Sequence, residues 1–403
     1  MIFVFYFFAA VLILLSFKSL RGGIAYLRFF KNEIAKPLPT FTPFATIIAP
    51  CRGLDDGLKE NLRTLIRQDY PAYEVIFVVD DANDPAVAVI ESVRTGSDSD
   101  WIPFSSKLVI AQKAKHSSQK VENLREAVLH ADARSEVFVF IDSDARPSAD
   151  WLRFLVAPLE ERTVGGSTGY RWFISNKPTF ASEMRSVWNA SIASALGPNI
   201  RSNFCWGGSM AMRRDVFESI GMREKWSGTL SDDFAVTRTM NEARMPIVFV
   251  PQALTASIED CTLSGMLEFT TRQMKITRVY ATKLWVMSLI GSGLFNAVMI
   301  AAFLIAILNR QINFAVIAGI LTLVLVTIFS IGKAWLRLEA VKLVLPTYKK
   351  QLGHQFWTQN TLWLLAPALF FCNAVAAGLS RRMAWRGIRY ELKSPSETVI
   401  IAE

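Results

Sequence analysis

Two acidic motifs in this 403-residue chain have the spacing that chemistry needs. Asp142-Ser143-Asp144 sets two carboxylates one residue apart, directly after the uncharged run Val137-Phe138-Val139-Phe140-Ile141 and just before the turn pair Arg146-Pro147. At a strand end such a pair can jointly hold Mg²⁺ or Mn²⁺ against a diphosphate. Ser231-Asp232-Asp233-Phe234 lies between a glycine-containing loop and a helical stretch over residues 235–243. Its plainest role is to cap that helix. The same pair suits general-base work, because an inverting transfer to a hydroxyl needs one carboxylate beside the acceptor and opposite the leaving diphosphate. Adjacent carboxylates also raise one of the two pKa values, which suits a base.

Glycine-rich and basic segments supply the other candidates. Cys205-Trp206-Gly207-Gly208-Ser209 puts an aromatic ring beside two glycines, which either lets backbone approach a substrate closely or makes a tight turn. Arg213 and Arg214 stand where a strand passes into a helix, available for phosphate or solvated. Arg272, Lys275 and Arg278 share one helix face, able to clamp a diphosphate or to flank a membrane segment. With three histidines and four cysteines that lack CxxC spacing, a zinc site, a disulfide framework or a Ser-His-Asp hydrolase is hard to build. A reducing compartment fits, and the chemistry is expected to run on carboxylates.

Those residues need a scaffold, and residues 45–282 alternate between strand and helix patterns, which predicts an α/β domain. Strands are expected at 45–49, 73–79, 108–111 and 137–141, and helices at 57–68 and 120–131. Three of the strands end in polar or acidic punctuation, at Pro50-Cys51-Arg52-Gly53, at Asp80-Asp81 and at Asp142. In open parallel sheets ligands bind beyond the carboxyl ends of the strands, so a nucleotide site is expected at that edge.

Around this domain the chain is apolar: 51% of residues are hydrophobic, 20% are charged, and the net charge is +9. Disorder is excluded by that composition, and a membrane is expected. Residues 1–17 carry no charge and precede Lys18, Arg21, Arg28 and Lys31, which predicts an uncleaved transmembrane anchor followed by a basic linker over 18–44 in the cytoplasm. Residues 285–331 read as a transmembrane hairpin and 332–355 as a basic amphipathic segment on the inner leaflet, its helix ended by Pro346. Residues 356–379, interrupted by Pro367, form a third carboxyl-terminal membrane segment, and 380–403 a basic tail assigned to the cytoplasm. The expected location is the inner, cytoplasmic membrane, crossed several times, with the catalytic domain in the cytoplasm. Membrane electrostatics account for the positive charge, and no nucleic-acid partner is expected.

Taken in order, Pro50-Cys51-Arg52-Gly53-Leu54-Asp55, Gln68-Asp69-Tyr70-Pro71-Ala72-Tyr73-Glu74-Val75, Asp81-Ala82-Asn83-Asp84-Pro85-Ala86, Asp142-Ser143-Asp144, Asp232-Asp233-Phe234 and Arg272-x-x-Lys275 resemble the family 2 glycosyltransferases of GT-A fold, and within them the ceramide glucosyltransferase branch, family 21. The likeness runs from about residue 40 to about residue 285, together with the membrane segments at both ends. It implies a GT-A nucleotide-sugar-binding domain with a Rossmann-like mixed sheet, a divalent metal as cofactor, a nucleotide sugar such as a UDP-hexose as donor and a lipid as acceptor. By it Asp55 and Asp81 fall at nucleotide positions, with Asp84 among the donor contacts. Lys120 and Asn123 lie beside the donor sugar, and Asp142 and Asp144 hold the metal and diphosphate; Trp206 and Gly207 are expected to face substrate from the aromatic-glycine pattern itself. Asp233, next to Asp232, is the catalytic base, and Arg272 and Lys275 hold the leaving group.

Two departures bear on specificity. The family's last motif is Arg or Gln, two residues, then Arg-Trp, whereas this chain has Arg272, Lys275 and Ile276. The ceramide enzymes carry a histidine between the second and third acidic motifs, and here none occurs from Ala131 to Gly353. The acceptor is left open among ceramide, a hopanoid, a sterol-like lipid and a polyprenyl lipid. The expected activity is inverting, metal-dependent sugar transfer to a lipid hydroxyl. The alternatives are a processive polysaccharide synthase and a non-catalytic membrane sugar-binding scaffold.

Overall fold

The computed structural model describes residues 2–95, 104–309 and 311–402. Two units divide the chain: a sheet unit of residues 33–177, 195–260 and 381–403, and a helical unit of residues 1–32, 178–194 and 261–380.

The strands run β1 (Ala45–Pro50), β2 (Tyr73–Val79), β3 (Phe104–Ile110), β4 (Val137–Phe140), β5 (Gly166–Thr168), β6 (Arg171–Ile174), β7 (Met210–Arg213), β8 (Ile247–Phe249), β9 (Thr255–Ile258), β10 (Arg382–Trp385), β11 (Ile388–Ser394) and β12 (Glu397–Ala402). Seven of them form one sheet in the order β3-β2-β1-β4-β7-β5-β8. The first four are parallel neighbours, and β7 runs antiparallel to both β4 and β5. This is the expected α/β domain, and its sheet is mixed, as expected. Strand β2 is buried along its whole length, which explains why its sequence is a nearly continuous apolar run rather than an alternation. Ile48, Ile76, Phe138 and Phe140 pack against Val121 and Leu124 of helix Gln119–Ala127 and against Phe217 and Trp226.

Register decides where the loops go. Pro50 pairs with Val78, Val79 with Ile110, and Ile48 with Phe140, so the carboxyl ends of the parallel strands finish level. Because β7 is antiparallel and Met210 lies opposite Phe140, the glycine-rich segment that precedes β7 reaches the same edge. One edge of the sheet therefore carries the segments after β1, β2 and β4 and the segment before β7.

Among the described residues, three helices are long and apolar enough to cross a membrane: Ile2–Ile34, Thr282–Leu308 and Phe314–Val344. In their most apolar windows only 17%, 17% and 22% of residues are buried, so most of that apolar surface has no protein cover. Pro346–Leu364 and Ala366–Leu379 make a pair bent by 59°.

The structure draws several boundaries differently from the sequence reading. The first helix continues through the basic residues after Phe17 to Ile34. Residues 332–344 belong to the long helix Phe314–Val344, which stops just short of Pro346. Its Arg337 is buried and donates to Gln359 Oε1 at 3.0 Å, so this side chain faces protein rather than a lipid headgroup. Within the expected 45–282 domain, helix Phe180–Ala193 and residues from Cys261 onward group with the helical unit. The expected basic tail forms the three-stranded sheet β10-β11-β12 and groups with the sheet unit. The reason is an alternation that the charges masked: Ile388, Tyr390 and Leu392 are buried, whereas Arg389 is exposed and Glu391 half-buried.

Candidate functional site

The segment after β1 is held by its neighbours on the sheet. Gly53, in the left-handed region at φ 68°, donates its N–H to both carboxylate oxygens of Asp84 at 3.0 and 3.1 Å. Asp84 also caps helix Pro85–Arg94 by accepting from Ala86 N at 2.8 Å, with Pro85 at the first helical position. Beside it, Asp80 is buried and paired with Arg52 and Lys113, each at 2.7 Å. Asp81 is more exposed, 3.7 Å from Lys113, and accepts from Asn83 N. That backbone donor, more than Lys113, holds the Asp81 carboxyl below its usual range.

Asp55 ties this segment to the loop after β4, since Ser143 Oγ donates to Asp55 Oδ2 at 2.6 Å. In that loop Asp142 Oδ1 lies 2.7 Å from Lys120 Nζ, and Asp144 Oδ2 accepts from Arg171 Nη1 at 3.1 Å. Lys120 belongs to helix Gln119–Ala127, whose Ser118 cap accepts from Val121 N. Its ammonium also lies 3.1 Å from Asp232 Oδ1. Asp233, the neighbour of Asp232 in the first turn of helix Asp232–Glu242, is half-buried. It accepts from Ser231 Oγ, from Phe234 N at 2.8 Å and from Gly207 N at 3.3 Å.

The two glycines before β7 are needed by these acids. A Cβ on Gly207 would stand 2.2 Å from Asp232 Oδ2 and 2.9 Å from Lys120 Nζ, and one on Gly208 would meet the Trp206 ring at 2.2 Å and Asp142 Oδ2 at 2.7 Å. Trp206 itself is buried, with the Arg171 guanidinium 4.9 Å over its ring.

Burial opposes ionisation of Asp142, but Lys120 and Arg171 outweigh it and hold the carboxyl below its usual range. Asp144 is pushed by burial up to about 7 in spite of Arg171, with Asp142 and Glu259 adding to the rise. Asp232 is pushed by burial up to about 6 in spite of Lys120, with Asp233 adding. Asp144 Oδ1 and Asp232 Oδ2 are buried and accept no hydrogen bond. Among the described residues, the carboxylates Asp55, Asp142, Asp144, Asp232 and Asp233 thus outnumber the cations Lys120, Arg171 and Arg386 that meet them. This local surplus of negative charge, with an unsatisfied buried oxygen on Asp144, fits a divalent cation. No three His, Cys, Asp or Glu side chains among the described residues converge to hold an ion by themselves. Asp142 and Asp144 would therefore share it with a ligand's oxygens, as a diphosphate allows.

The structure joins Asp55, Lys120, Asp142, Asp144, Gly207, Asp232 and Asp233 in one network, with Asp81 and Asp84 on the adjoining loop. Asn123 is turned inward and accepts from Gln119 Nε2 at 2.9 Å. Arg272 and Lys275 lie on helix Leu263–Tyr280 in the helical unit, Arg272 at 3.8 Å from Glu268. Arg213 is buried and donates to the carbonyls of Leu159, Arg162 and Val164, a structural clamp rather than a phosphate ligand. Sequence reasoning missed Arg171 and Arg386. Arg171 carries no local signal. Arg386-Gly387 lacks the Asn-Gly or Asp-Gly form that marks a hairpin, and only its glycine and the alternation after it hint at a turn.

The family model described as glycosyl transferase family 21 matches residues 6–398. A ceramide glucosyltransferase of Komagataella phaffii is 31% identical over 72 residues, 18% of this chain and 14% of that protein. A ceramide glucosyltransferase of Gibberella zeae is 27% identical over 195 residues, 42% of this chain and 36% of that protein. The chain thus spans well under half the length of these curated relatives. Among solved structures, the mannosyltransferase PcManGT from Pyrobaculum calidifontis in complex with GDP-Man and Mn²⁺ is similar at 16% identity and a TM-score of 0.45, covering 93% of this chain and 98% of that one.

Proposed function

The chain belongs to glycosyl transferase family 21, and from that membership and the acidic network we propose that it is a membrane-bound enzyme transferring a sugar, from a UDP-hexose, to a lipid hydroxyl with inversion. The observation that carries the reading is the meeting of Asp142 with Asp232 across Lys120, with Asp233 held beside them by Gly207 N. It is supported by the ceramide glucosyltransferases among the relatives, and ceramide is the first acceptor to test.

In the proposed mechanism Asp142 and Asp144 would hold a divalent metal, which when bound neutralises charge on the departing diphosphate. The half-buried Asp233 carboxylate takes the proton of the acceptor hydroxyl as that oxygen attacks the anomeric carbon opposite the leaving group. Its bonds from Ser231, Phe234 and Gly207 fix the carboxylate before substrate arrives. Lys120 keeps Asp142 and Asp232 ionised and oriented. In this reading the apolar helices fix the protein in the inner membrane, and the basic residues after Phe17 set the catalytic side in the cytoplasm.

The test is incubation of membranes bearing the protein with labelled UDP-glucose, UDP-galactose or UDP-N-acetylglucosamine, Mg²⁺ or Mn²⁺, and total lipid extract including ceramide. Label in a discrete lipid supports the reading and names the donor. Label only in insoluble polymer points to a processive synthase, and no label with any donor overturns the reading.

A further inference from the structure

The carboxyl-terminal sheet is built into the acidic edge of the sheet unit. Trp385 pairs with Ile388, leaving Arg386 and Gly387 as a two-residue hairpin turn with φ values of 52° and 83°. Both central residues thus have positive φ, the type I′ pattern that favours Asn, Asp or Gly and disfavours a long side chain. An arginine held in this conformation is an outlier that calls for a reason.

The side chain supplies one. Arg386 Nη2 lies 2.5 Å from Asp55 Oδ1, and Nη1 donates to the Arg52 carbonyl at 3.5 Å. Asp55 is in turn bonded to Ser143, between Asp142 and Asp144. The Arg386 side chain is 39% exposed, whereas Asp55 is only 11% exposed. Asp55 and Asp144 hold the guanidinium firmly charged against the effect of burial.

The rest of the hairpin is fixed to the same unit. Tyr390 is buried and its Oη accepts from Gln119 N at 3.2 Å, at the start of the helix that carries Lys120. Gly228, at φ 80°, lies so close to the following turn that a Cβ there would stand 2.2 Å from the Ser396 carbonyl oxygen. A flexible tail would have none of these ties.

We propose that Arg386 is a diphosphate-binding residue: its planar fork, presented over Asp55 at the hairpin tip, pairs with the phosphate oxygens of a nucleoside diphosphate held at Asp142 and Asp144. The inference rests on the donor reading above and adds to it a contact from the carboxyl-terminal hairpin.

The test uses the full chain in detergent with Mn²⁺ and measures calorimetric binding of UDP, GDP and uridine to the wild type, Arg386→Asn and Arg386→Lys. Asparagine suits a positive-φ turn better than arginine, which offsets part of the cost of losing the Asp55 pair, so Arg386→Asn should fold, as thermal unfolding would show. Its affinity for UDP should fall by about tenfold or more, the scale of a hydrogen bond to a charged group, while uridine binding is unchanged. Arg386→Lys should fall between the two. Equal UDP affinity in the wild type and Arg386→Asn overturns the inference and leaves the donor reading standing. Equal losses for UDP and uridine also overturn it, since the hairpin would then merely shape the site. A wild type that binds neither UDP nor GDP brings down the donor reading and this inference together.

Discussion

Lys120 Nζ lies 2.7 Å from Asp142 Oδ1, and the same ammonium reaches Asp232 Oδ1 at 3.1 Å. The motif after β4 and the motif that opens helix Asp232–Glu242 are thus joined through one half-buried cation, which meets the buried Asp232. Breaking a buried pair by removing one partner costs roughly 3–5 kcal/mol, because the remaining charge loses its counter-ion. Lys120→Met should lower the unfolding midpoint of the purified chain and abolish transfer. Lys120→Arg should fold but lose most transfer, since a planar fork does not replace a point charge between two acids. An unchanged midpoint in Lys120→Met would count against the link.

Asp233→Asn keeps the shape of the side chain and removes its ability to take a proton. General-base catalysis contributes about 10²–10⁴ in rate, so kcat should fall by that factor while UDP affinity measured by calorimetry is unchanged. Transfer at the wild-type rate would remove Asp233 from the chemistry.

Chelation with EDTA should stop transfer, and added Mn²⁺ or Mg²⁺ should restore it. Asp144→Asn should raise the metal concentration needed for half-maximal UDP binding, because the buried Oδ1 that fits a cation is replaced or weakened. Full activity after exhaustive chelation would exclude metal dependence.

Gly207→Ala would force a methyl against Asp232 Oδ2 and Lys120 Nζ, whereas Gly197→Ala meets nothing within 4 Å. Overpacking of this kind costs about 1–3 kcal/mol. The first variant should lose stability and nearly all transfer and the second should keep both, as judged by thermal unfolding and labelled-lipid yield. Indistinguishable variants would contradict the close approach at Gly207.

Asp232, pushed by burial up to about 6, faces Lys120, Asp233 and Asp142. It is ionised above that pH and takes up a proton as the pH falls through it, which removes one of the two carboxylate charges paired with Lys120. The fold binds this proton more tightly than the unfolded chain does, so protonating Asp232 favours the folded state and the loss of rate on acidification precedes unfolding. Transfer should decline below about pH 6 with the circular dichroism unchanged, and Asp232→Asn should be slower at neutral pH and show a shallower acid limb, the part that Asp144 contributes remaining. A pH–rate profile identical in the two proteins would rule this out.

Local composition was enough to find much of this molecule. An uninterrupted apolar run such as Tyr73–Val79 can bury both faces only inside a sheet, and an acidic residue directly after such a strand has to emerge at its carboxyl end. That is why Asp142 and Asp144 could be placed at that edge from the sequence, whereas Asp55 was named from the family likeness and Asp233 from its pairing with Asp232 and that likeness. The long apolar helices were legible for the same reason, since a helix that is apolar over about 20 residues has no soluble alternative. What the sequence could not decide was which cation meets which acid. Basic residues such as Arg213, Arg337 and Arg386 look alike on the page, yet one clamps backbone carbonyls, one meets a buried glutamine and one reaches Asp55. Those partners are set by strand order and register between segments far apart in the chain, and a slip of one residue in β11 would turn its buried face outward. Only the tertiary structure fixes that register, so only it shows the carboxyl-terminal hairpin as part of the sheet unit and Lys120 as the bridge between the two acidic motifs.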